Sequence, residues 1–485
     1  MKLRPVRGAA VAAFHKIVRR GDPVLDRIVA GTTATSASLL WFGTAACLAA
    51  VGGRFGRRAA LRGLLSVALS SALTNGLLKV VVRRPRPSKL IALRARPLGG
   101  RPKSSAFPSG HTASAAAFAV GAAQELPGLS VPLGVLATAV GWSRVRTRAN
   151  FPTDVFAGAA VGGAVALATR RFWPVAPRTP AEIRPALTSV GADPSPEGRG
   201  LSIVVNPSAG SALSKSPADE LRRCLPEAEV LEVGEGMEFS DALEKASQSA
   251  ACALGVSGGD GSVNAAAAVS DAHDKPLMVI PGGTLNHFAH DLGLEDVSDA
   301  IVAVTEGEAV AVDLATIADE PFLNTASFGA YADLVDARER LEGKFGKWPA
   351  AFFGLVHVLR GGEPIDVELD GRRRKLWMIF IGNCCYHPEG FAPSWRERLD
   401  DGQLDIRVVD GTQPYARLRL LLAVLTGRLG RSRVYESWTA KELRVRSHEG
   451  PLRLARDGET FDGPEEFIVC KRDRPLRVYV PKREP

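Results

Sequence analysis

Hydrophobic and polar residues follow two different patterns along the chain, and the change falls near residue 172. Residues 28–169 are rich in Ala, Gly, Leu and Val, with long runs that lack charge. Residues 200–485 mix charged and apolar positions, as soluble globular domains do. A chain of 485 residues is too long for one ordinary domain. The pattern therefore predicts a helical membrane region followed by a globular region.

The first region contains five apolar segments. Residues 28–53 are an uncharged run of transmembrane length, and residues 63–82 form a second run with one charge, Lys79. Shorter apolar stretches cover residues 109–124, 126–142 and 155–169. Their Ala and Gly content suits close packing of helices in a membrane. We expect an all-α transmembrane bundle of five helices over residues 28–171, behind a basic N-terminal segment, residues 1–27.

The globular region begins after a linker. Residues 172–200 are dense in Pro, Gly and Ser, which is typical of a connection between domains. Three strand-like segments follow, each leading into a glycine-rich turn, namely LSIVVN at 201–206, CALGVS at 252–257 and PLMVI at 276–280. Strands alternating with helices favour a parallel α/β sheet with loops at the strand C-termini. We assign this α/β lobe to residues 201–310.

Strand-like segments dominate the rest of the chain. The succession is VDLATI, IDVEL, KLWMIFIGN, QLDIRVVDG, ELRVRS, LRLARDGE and LRVYVP. Helical patterns lie near residues 331–344, 349–360 and 414–427. This series predicts an antiparallel β-sandwich lobe over residues 311–485. The expected fold class is thus multidomain, with a transmembrane helical bundle, a parallel α/β lobe and a β-sandwich lobe.

The net charge and the positions of the arginines indicate which kinds of partner the protein binds. The chain has 61 Lys and Arg against 52 Asp and Glu, a net charge of +9. Many of the arginines flank the apolar segments, namely Arg54, Arg57, Arg58, Arg83, Arg84, Arg86, Arg170 and Arg171. Such positions suit anionic lipid headgroups or phosphate-bearing substrates. The sequence lacks a basic stripe interleaved with aromatic residues, which argues against nucleic acid as a partner.

The cysteines and the N-terminus add little chemistry. Six cysteines occur without CxxC spacing, so buried thiols in a reducing compartment are the simplest interpretation. The first twenty residues are basic and amphipathic, and they show no convincing signal-peptide cleavage site.

Three glycine-rich loops carry candidate phosphate chemistry. They follow the three predicted strands and cover residues 206–210, 258–262 and 281–286. Glycines allow backbone N–H groups to approach phosphate oxygens closely. The sequence has no GxxxxGK[ST] motif, which argues against a P-loop fold.

The order NPSAG, GGDGSVN and PGGTLNHFAHDLGL resembles the catalytic domain of the diacylglycerol kinase family, whose bacterial members include soluble lipid kinases. The resemblance covers about residues 200–485 and continues with LDDGQLDI at 399–406 and ARDGETF at 455–461. It implies ATP as phosphate donor, Mg²⁺ as cofactor and a lipid alcohol as acceptor.

The resemblance also implies roles for individual residues. A nucleotide site would be formed by Asn206, Gly258, Gly259, Asp260, Gly261 and Thr284. Asp260 would act beside the Mg²⁺–phosphate, Asp457 would take the proton of the lipid hydroxyl, and Glu459 would be a companion ligand of Mg²⁺. A second, structural Mg²⁺ site is implied at Asp400, Asp401 and Asp405. Without the family context, each Asp-Gly pair here would be an ordinary hairpin turn.

Two positions depart from the family pattern. Ser262 replaces the commoner Thr of GGDGT and keeps a hydroxyl, and His287 stands where many members have Asp. NAD kinases share an NP and a GGDG pattern and are the nearest competing enzymes. The PGGTLN loop, the DGE near the C-terminus and the membrane segments favour a lipid acceptor.

The membrane region carries its own motifs, KVVVRRPRP, FPSGHTAS and SRVRTRANFPTD. Lys and Arg at helix ends can hold phosphate oxygens, and a His can protonate a leaving alkoxide. The motifs resemble those of the type 2 phosphatidic acid phosphatase family over about residues 60–170. The matching positions are Lys79, Arg86, Pro87, Ser109, Gly110, His111, Ser143, Arg144 and Asp154.

One motif position differs in a way that matters for chemistry. Asn150 occupies the place of the family's nucleophilic His, and an amide has no basic lone pair at neutral pH. Loss of a nucleophile costs several orders of magnitude in rate. We therefore expect a degenerate phosphatase domain that retains its phosphate-binding residues.

The spans imply a topology. The phosphatase-like motifs share one membrane face, and the last span carries the chain to the other face. ATP places the kinase in the cytoplasm, so we expect a multi-pass plasma-membrane protein with the phosphate cradle outside. Five spans would also place the basic N-terminus outside, against the positive-inside tendency. Either the first 25 residues lie in the interface, or the number of spans differs by one.

The leading hypothesis is thus a membrane-bound, ATP- and Mg²⁺-dependent kinase of a diacylglycerol-like lipid. A second hypothesis is a bifunctional enzyme in which both the phosphatase and the kinase sites are active. A third is an NAD-kinase-like enzyme, and a fourth is a non-catalytic lipid-binding membrane scaffold.

Overall fold

The polypeptide divides into two structural units, Met1–Ala176 and Pro177–Pro485. This computed structural model describes residues 37–86, 105–147, 149–184, 197–207, 216–234, 236–283, 286–329, 363–388, 395–426 and 429–482. The division falls inside the segment that the sequence pattern assigns to a linker.

The first unit is helical. Its helices are α1 (Ala37–Val51), α2 (Gly53–Val81), α3 (Gly110–Glu125), α4 (Ser130–Arg146) and α5 (Pro152–Ala168). Alanines and glycines allow these helices to approach closely, as expected for packing through small residues. Trp41 stacks on Phe118 with ring centroids 5.0 Å apart, and both rings are almost fully buried. A Cβ on Gly63 would lie 2.8 Å from the Phe118 ring, which shows how tightly α2 and α3 pack.

Within the described residues, two helices are long and apolar enough to cross a membrane, Gly53–Val81 and Pro152–Arg171. A third apolar helix, Leu39–Val51, is shorter. The five expected spans therefore correspond to five helices in the described residues, and two of these helices are long and apolar enough to cross a membrane. Residues 28–36, the start of the first expected span, lie outside the described residues.

The predicted start of the second span, at residue 63, is wrong. Helix α2 begins at Gly53 and therefore includes Arg58 and Arg62. These arginines do not end the helix because both pair with Glu125 of α3, at 3.1 Å for Arg58 Nε and 2.7 Å for Arg62 Nη2. Pairing compensates charges that a purely apolar span would exclude.

The second unit begins with an α/β sheet. Its strands are β1 (Leu201–Val205), β2 (Glu229–Glu232), β3 (Ala253–Gly258), β4 (Leu277–Pro281) and β5 (Glu308–Val312). Helices α6 (Ala218–Cys224), α7 (Phe239–Ser249), α8 (Asp260–Ala272), α9 (His287–Leu292) and α10 (Val297–Thr305) connect them. Strands β1 to β4 are mutually parallel in the order β2-β1-β3-β4. Every residue of β1 and β3 is buried, which explains their continuous apolar runs.

The remaining strands form mainly a connected antiparallel sheet of eleven strands in the described residues. Its members are β6 (Ala315–Ile317), β7 (Glu320–Phe322), β8 (Thr325–Gly329), β9 (Ile365–Leu369), β10 (Arg372–Asn383), β13 (Leu404–Asp410), β14 (Tyr435–Ala440), β15 (Glu442–Ser447), β16 (Arg453–Arg456), β17 (Glu459–Asp462) and β18 (Glu466–Lys471). Strands β11 (Tyr386–His387) and β12 (Trp395–Arg396) make a separate small sheet. The predicted helix over 414–427 corresponds to α11 (Ala416–Thr426). Those predicted over 331–344 and 349–360 lie outside the described residues.

The last strand lies in an unexpected sheet. Strand β19 (Leu476–Val480) pairs parallel with β4 and antiparallel with β5, inside the first sheet. The prediction that residues 311–485 all belong to the β-rich lobe is therefore wrong for this strand. Its alternating side chains contribute Leu476, Val478 and Val480 to the core of the α/β lobe. Sequence pattern alone marks β19 as a strand, but only packing decides which sheet it joins.

Candidate functional site

Three loops meet at one edge of the first sheet. Asn206 follows β1, Gly259 follows β3 and Gly282 follows β4, and these strands are neighbours in the order β1-β3-β4. All three loops therefore leave the carboxyl ends of adjacent parallel strands. In open α/β sheets this edge is the usual place for a ligand.

The loops touch each other through their glycine backbones. Gly282 N donates to Gly258 O at 2.9 Å. A Cβ on Gly283 would lie 2.5 Å from Gly259 Cα, and a Cβ on Gly282 would lie 3.0 Å from Gly258 N. Side chains at these positions would fill the space between the loops. The glycines thus form a backbone cradle of the kind that fits phosphate groups.

Polar side chains fix the edges of this cradle. Asn206 Nδ2 donates to Ser262 Oγ at 3.0 Å. Ser262, which replaces the Thr of the GGDGT pattern, therefore holds the first loop against α8 through its hydroxyl. Asn286 closes the third loop, since its Oδ1 accepts from Gly283 N at 2.8 Å and its Nδ2 donates to Gly283 O at 2.9 Å. Thr284, which the sequence assigns to the nucleotide site, lies outside the described residues.

Helix α8 starts at the cradle with Asp260. It is thirteen residues long, and the N–H groups of a first helical turn suit an anionic ligand. Asp260 Oδ1 accepts from Phe288 N of α9 at 3.4 Å. A Cβ on Gly261 would lie 2.9 Å from Glu459 Oε1. Glu459 is therefore brought from the second sheet to the first turn of α8, which begins at Asp260, the residue that the family resemblance groups with it.

Asp457 occupies the turn between β16 and β17, next to the same helix. Its Oδ1 accepts from Asn324 N at 2.9 Å and Thr325 N at 2.8 Å, and its Oδ2 accepts from Leu323 N at 2.8 Å. Its own N–H donates to Thr325 O at 2.8 Å, and its φ is 45°. Asp tolerates this left-handed conformation better than most side chains. The turn therefore presents one carboxylate in a fixed orientation.

The acidity of Asp457 reflects opposing effects. Burial raises the pKa of Asp457 to about 6, the charge of Asp260 acts in the same direction, and the three backbone N–H donors act against both. The carboxyl group is thus ionised at neutral pH but more basic than an ordinary Asp. That property suits a group that accepts a proton.

These carboxylates can be tested against the metal that the family implies. Asp260 and Glu459 offer only oxygen donors, the type that Mg²⁺ prefers. They lie beside a backbone cradle suited to phosphate, where a magnesium ion commonly bridges protein and phosphate oxygens. The residues present fit this ion.

The second implied metal site is not supported at two of its three residues. Asp400 Oδ1 accepts from Arg398 Nε at 3.0 Å and Nη2 at 2.8 Å. Asp405 Oδ2 lies 2.6 Å from Arg407 Nη2. Guanidinium groups therefore pair with both carboxylates, and the role of Asp400 and Asp405 as metal ligands stays a prediction.

Asp401 has a different environment. Its oxygens accept from Cys385 N and Gln403 N, both at 2.8 Å. Asp401, Asp313 and Cys384 each present one ligand atom within 4.8 Å of the others. Lys471 Nζ, however, donates to Asp313 Oδ2 at 3.0 Å and lies 3.3 Å from Cys384 Sγ. An internal ammonium thus already pairs with Asp313 of this group.

Sequence reasoning missed the residues that hold Asp457. The backbone of residues 323–325 belongs to no motif, and neither does Arg396, which donates to Leu323 O at 2.7 Å. Arg396 lies 73 positions from Leu323, so no local spacing could have signalled the contact. The sequence predicted only that Arg396 lies in the strand-rich lobe.

The phosphatase-like residues also converge, at the ends of α2, α3, α4 and α5. Lys79 Nζ lies 3.2 Å from the position of a Cβ on Gly110. His111 follows at the first turn of α3, with the cations of Arg144, Lys79 and Arg86 near enough to act on it electrostatically. The structure therefore brings a histidine and three cations of the motifs to one place, as a phosphate site requires.

Asn150 is fixed by structural contacts at this site. Its Nδ2 donates to Ala106 O at 2.6 Å, and its Oδ1 accepts from Ser109 Oγ at 3.3 Å. The residue is 3% exposed. Its amide thus bridges the second and third motifs, in a position where a reacting group would need a basic nitrogen.

Asp154 is paired with a residue outside the predicted set. Its Oδ1 lies 2.7 Å from Arg84 Nη1, and its Oδ2 accepts from Phe151 N at 2.9 Å. Arg84 also lies over the Phe151 ring, 4.8 Å from its centroid. The sequence suggested Arg84 only as a basic flank of a helix. Both oxygens of Asp154 have these partners, so its carboxylate orients the loop and the start of α5.

Comparisons with known proteins match three consecutive parts of the chain. Family models describe the PAP2 superfamily at residues 59–178, the diacylglycerol kinase catalytic domain at residues 200–317, and the YegS C-terminal NAD kinase beta sandwich-like domain at residues 345–470. Both resemblances drawn from the motifs are confirmed.

Individual relatives agree with these matches. A Pseudomonas syringae pv. tomato protein described as "Probable lipid kinase YegS-like" is 30% identical over 242 residues, which are 47% of this chain and 75% of the relative. A Bacillus subtilis diacylglycerol kinase is 26% identical over 246 residues, 47% of this chain and 77% of that protein. The solved transmembrane PAP2 type phosphatidylglycerolphosphate phosphatase of Bacillus subtilis is 27% identical, with a TM-score of 0.27, and covers 34% of this chain and 84% of its own.

Proposed function

Since the chain belongs to the YegS-like and diacylglycerol kinase family of lipid kinases, we propose that residues 201–485 transfer the γ-phosphate of ATP to a diacylglycerol-like lipid hydroxyl. The observation that carries this proposal is the convergence of three carboxylates on one glycine cradle. Asp260 begins α8 at the cradle, Glu459 lies against Gly261 of that helix, and Asp457 is near enough to sense the charge of Asp260.

Each group has a definite task in such a transfer. The backbone of Gly258, Gly259 and Gly261 binds phosphate oxygens, with Asn206 holding the first loop in place. Asp457 accepts the proton of the lipid hydroxyl while the hydroxyl oxygen forms a bond to the γ-phosphorus. The bond from that phosphorus to the β–γ bridging oxygen breaks, and ADP leaves. The three N–H donors of residues 323–325 keep this carboxylate oriented toward the acceptor. Thr284 remains part of the proposed nucleotide site on the strength of its motif.

Asp260 and Glu459 would hold Mg²⁺, which supplies charge neutralisation at the β- and γ-phosphate oxygens. Asp401 is left as a structural residue that binds backbone N–H groups.

The helical half agrees with a lipid acceptor. The PAP2-superfamily region and two helices of spanning length support a location in a membrane, where a lipid alcohol is concentrated. We propose a multi-pass plasma-membrane protein whose kinase faces the cytoplasm, because ATP is supplied there. The phosphatase-like residues bind lipid phosphate without hydrolysing it, because Asn150 offers an amide in place of a nucleophilic imidazole.

The test is transfer of labelled γ-phosphate from ATP to a panel of lipid alcohols by the full chain in mixed micelles. Asp457→Asn is expected to lower the rate about 10²- to 10⁴-fold, the usual contribution of a general base. Removal of Mg²⁺ is expected to abolish transfer.

Asp370→Asn is the matched control. Asp370 and Gly371 form an Asp-Gly turn of the same kind, with φ values of 47° and 80° against 45° and 90° at Asp457 and Gly458. Its Oδ1 accepts from Arg444 N at 2.9 Å, far from the carboxylate cluster in sequence. Equal losses in both variants would mean that Asp457 acts as a turn residue only. Labelling of NAD in place of any lipid would overturn the lipid acceptor.

A further inference from the structure

A buried guanidinium lies behind the backbone that holds Asp457. The side chain of Arg396 is fully buried. Its Nη1 donates to Leu323 O at 2.7 Å and to Asn383 O at 3.1 Å, and its Nη2 donates to Asn324 Oδ1 at 2.9 Å. The guanidinium also lies over the Tyr386 ring, 5.2 Å from the centroid.

The segment between Arg396 and Asp457 is bonded on both sides. The N–H groups of Leu323, Asn324 and Thr325 all point to the Asp457 carboxylate. Leu323 O accepts from Arg396, as does the side-chain oxygen of Asn324. Tyr386 adds a bond from its hydroxyl to Asn324 O at 3.2 Å. Arg396 and Tyr386 hold the oxygen atoms of Leu323 and Asn324. The N–H groups of the segment therefore stay directed toward the Asp457 carboxylate.

The charge of Arg396 is neutralised by helix α9. Arg396 Nε donates to Asp291 Oδ2 at 2.8 Å. Asp291 lies three residues after Phe288 on α9, and such residues share a face of a helix. Phe288 N is the donor to Asp260 Oδ1 at 3.4 Å. One short helix thus contacts Asp260 directly and Asp457 through Asp291, Arg396 and residues 323–324.

We propose that Arg396, held by Asp291, is a positioning residue for the lipid kinase reaction: it fixes residues 323–325 so that Asp457 and Asp260 keep their mutual geometry. This inference rests on the proposed function of Asp457 as the proton acceptor. Arg396 touches no reacting atom, and it acts through the backbone of Leu323 and the side chain of Asn324. Lysine cannot replace it, because one ammonium cannot reproduce the planar fork that bonds Asp291, Leu323 and Asn324 together.

The kinetic test compares the wild-type full chain with Arg396→Met, Arg396→Lys and Asp291→Asn. We expect kcat to fall about 10- to 100-fold in Arg396→Met, with the KM for ATP changed less than about threefold, since positioning is lost and nucleotide contacts are kept. Asp291→Asn, which keeps an oxygen acceptor, is expected to give a smaller loss.

Arg407→Met is the matched control. Arg407 is also a buried arginine paired with an aspartate, Asp405, and it bonds the backbone oxygens of Tyr386 and Pro388 at 2.6 and 3.0 Å. A general loss of core stability would appear in both arginine variants. A fall in kcat with a nearly unchanged KM for ATP should appear only in the Arg396 and Asp291 variants.

Hydrogen exchange provides a measurement that does not depend on turnover. Amides of residues 323–325 should exchange faster in Arg396→Met, or in Asp291→Asn if the first variant does not fold, than in Arg407→Met. Unchanged exchange and an unchanged kcat would overturn the role of Arg396 while leaving the proposed function intact. Absence of transfer by the wild type would overturn the proposed function and with it the positioning role of Arg396, whereas exchange would still show whether Arg396 holds residues 323–325.

Discussion

At the scale of single residues, Asp457 shows how surroundings set acidity. Three N–H donors favour its ionised form, whereas burial and the neighbouring Asp260 favour the protonated form. The second pair of effects prevails and raises the pKa of Asp457 to about 6. The same Asp-Gly pair at Asp370 makes a hairpin turn at an exposed position, so the turn does not require this environment.

This pKa predicts a pH dependence of the kinase. Asp457 can accept a proton only when ionised, so kcat/KM should fall tenfold per pH unit below a midpoint near 6 and level off above it. The measurement is a pH profile of kcat/KM for the lipid between pH 4.5 and 8, with Asp370→Asn as control. A midpoint near 4, typical of an ordinary Asp, would contradict the effect of burial.

Asn150 gives a second prediction for a single residue. Replacement by His restores an imidazole between Ala106 O and Ser109 Oγ, which now bond the amide. We expect Asn150→His to raise phosphate release from phosphatidic-acid-like lipids about 10³-fold or more. The added change His111→Ala should remove that gain. Hydrolysis by the wild type that depends on His111 would instead support a bifunctional enzyme.

At the scale of elements, the turns after β3 and β4 act as one unit. Their glycine backbones meet so closely that a Cβ on Gly283 would lie 2.5 Å from Gly259 Cα. The main chain at both positions is therefore the surface that a nucleotide would meet. A side chain at Gly283 would force the two loops apart.

Gly283→Ala should therefore weaken nucleotide binding. The added methyl group forces the two loops apart, at a cost of about 1–3 kcal/mol typical of overpacking. We expect the KM for ATP to rise about tenfold or more in a phosphate-transfer assay. Gly234→Ala is the control, because a Cβ there meets nothing within 4 Å. Similar effects in both variants would show that the loops tolerate a side chain.

At the scale of the whole molecule, the C-terminal strand joins the first sheet after the chain has passed through the second. Strand β19 inserts between β4 and β5, and Leu476, Val478 and Val480 are each at most 2% exposed. The α/β lobe is therefore incomplete until the last residues are in place. Long-range pairing of this kind delays folding relative to local contacts.

A truncation tests this arrangement. Deletion of residues 476–485 removes an interior strand and leaves the edges of β4 and β5 without a partner, so we expect loss of cooperative unfolding and of kinase activity. Deletion of residues 482–485 spares the strand and should be tolerated. Thermal unfolding followed by circular dichroism in detergent distinguishes the two. A wild-type melting temperature after the longer deletion would contradict a structural role for β19.

The sequence by itself determined the division into helical and α/β parts, the two family resemblances and the presence of Asn150 in the third phosphatase-like motif. These features are local. Buried parallel strands produce continuous apolar runs, and glycine-rich turns or an exchanged His can be read from a few neighbouring residues.

Tertiary structure decided how distant residues are combined. It placed β19 in the first sheet, joined Glu459 to the start of α8, and paired Asp400 and Asp405 with arginines. It also placed Arg396 behind the residues that bind Asp457. The physical reason is that these contacts join positions far apart in the chain. Packing and charge compensation choose such partners, and local pattern does not encode them.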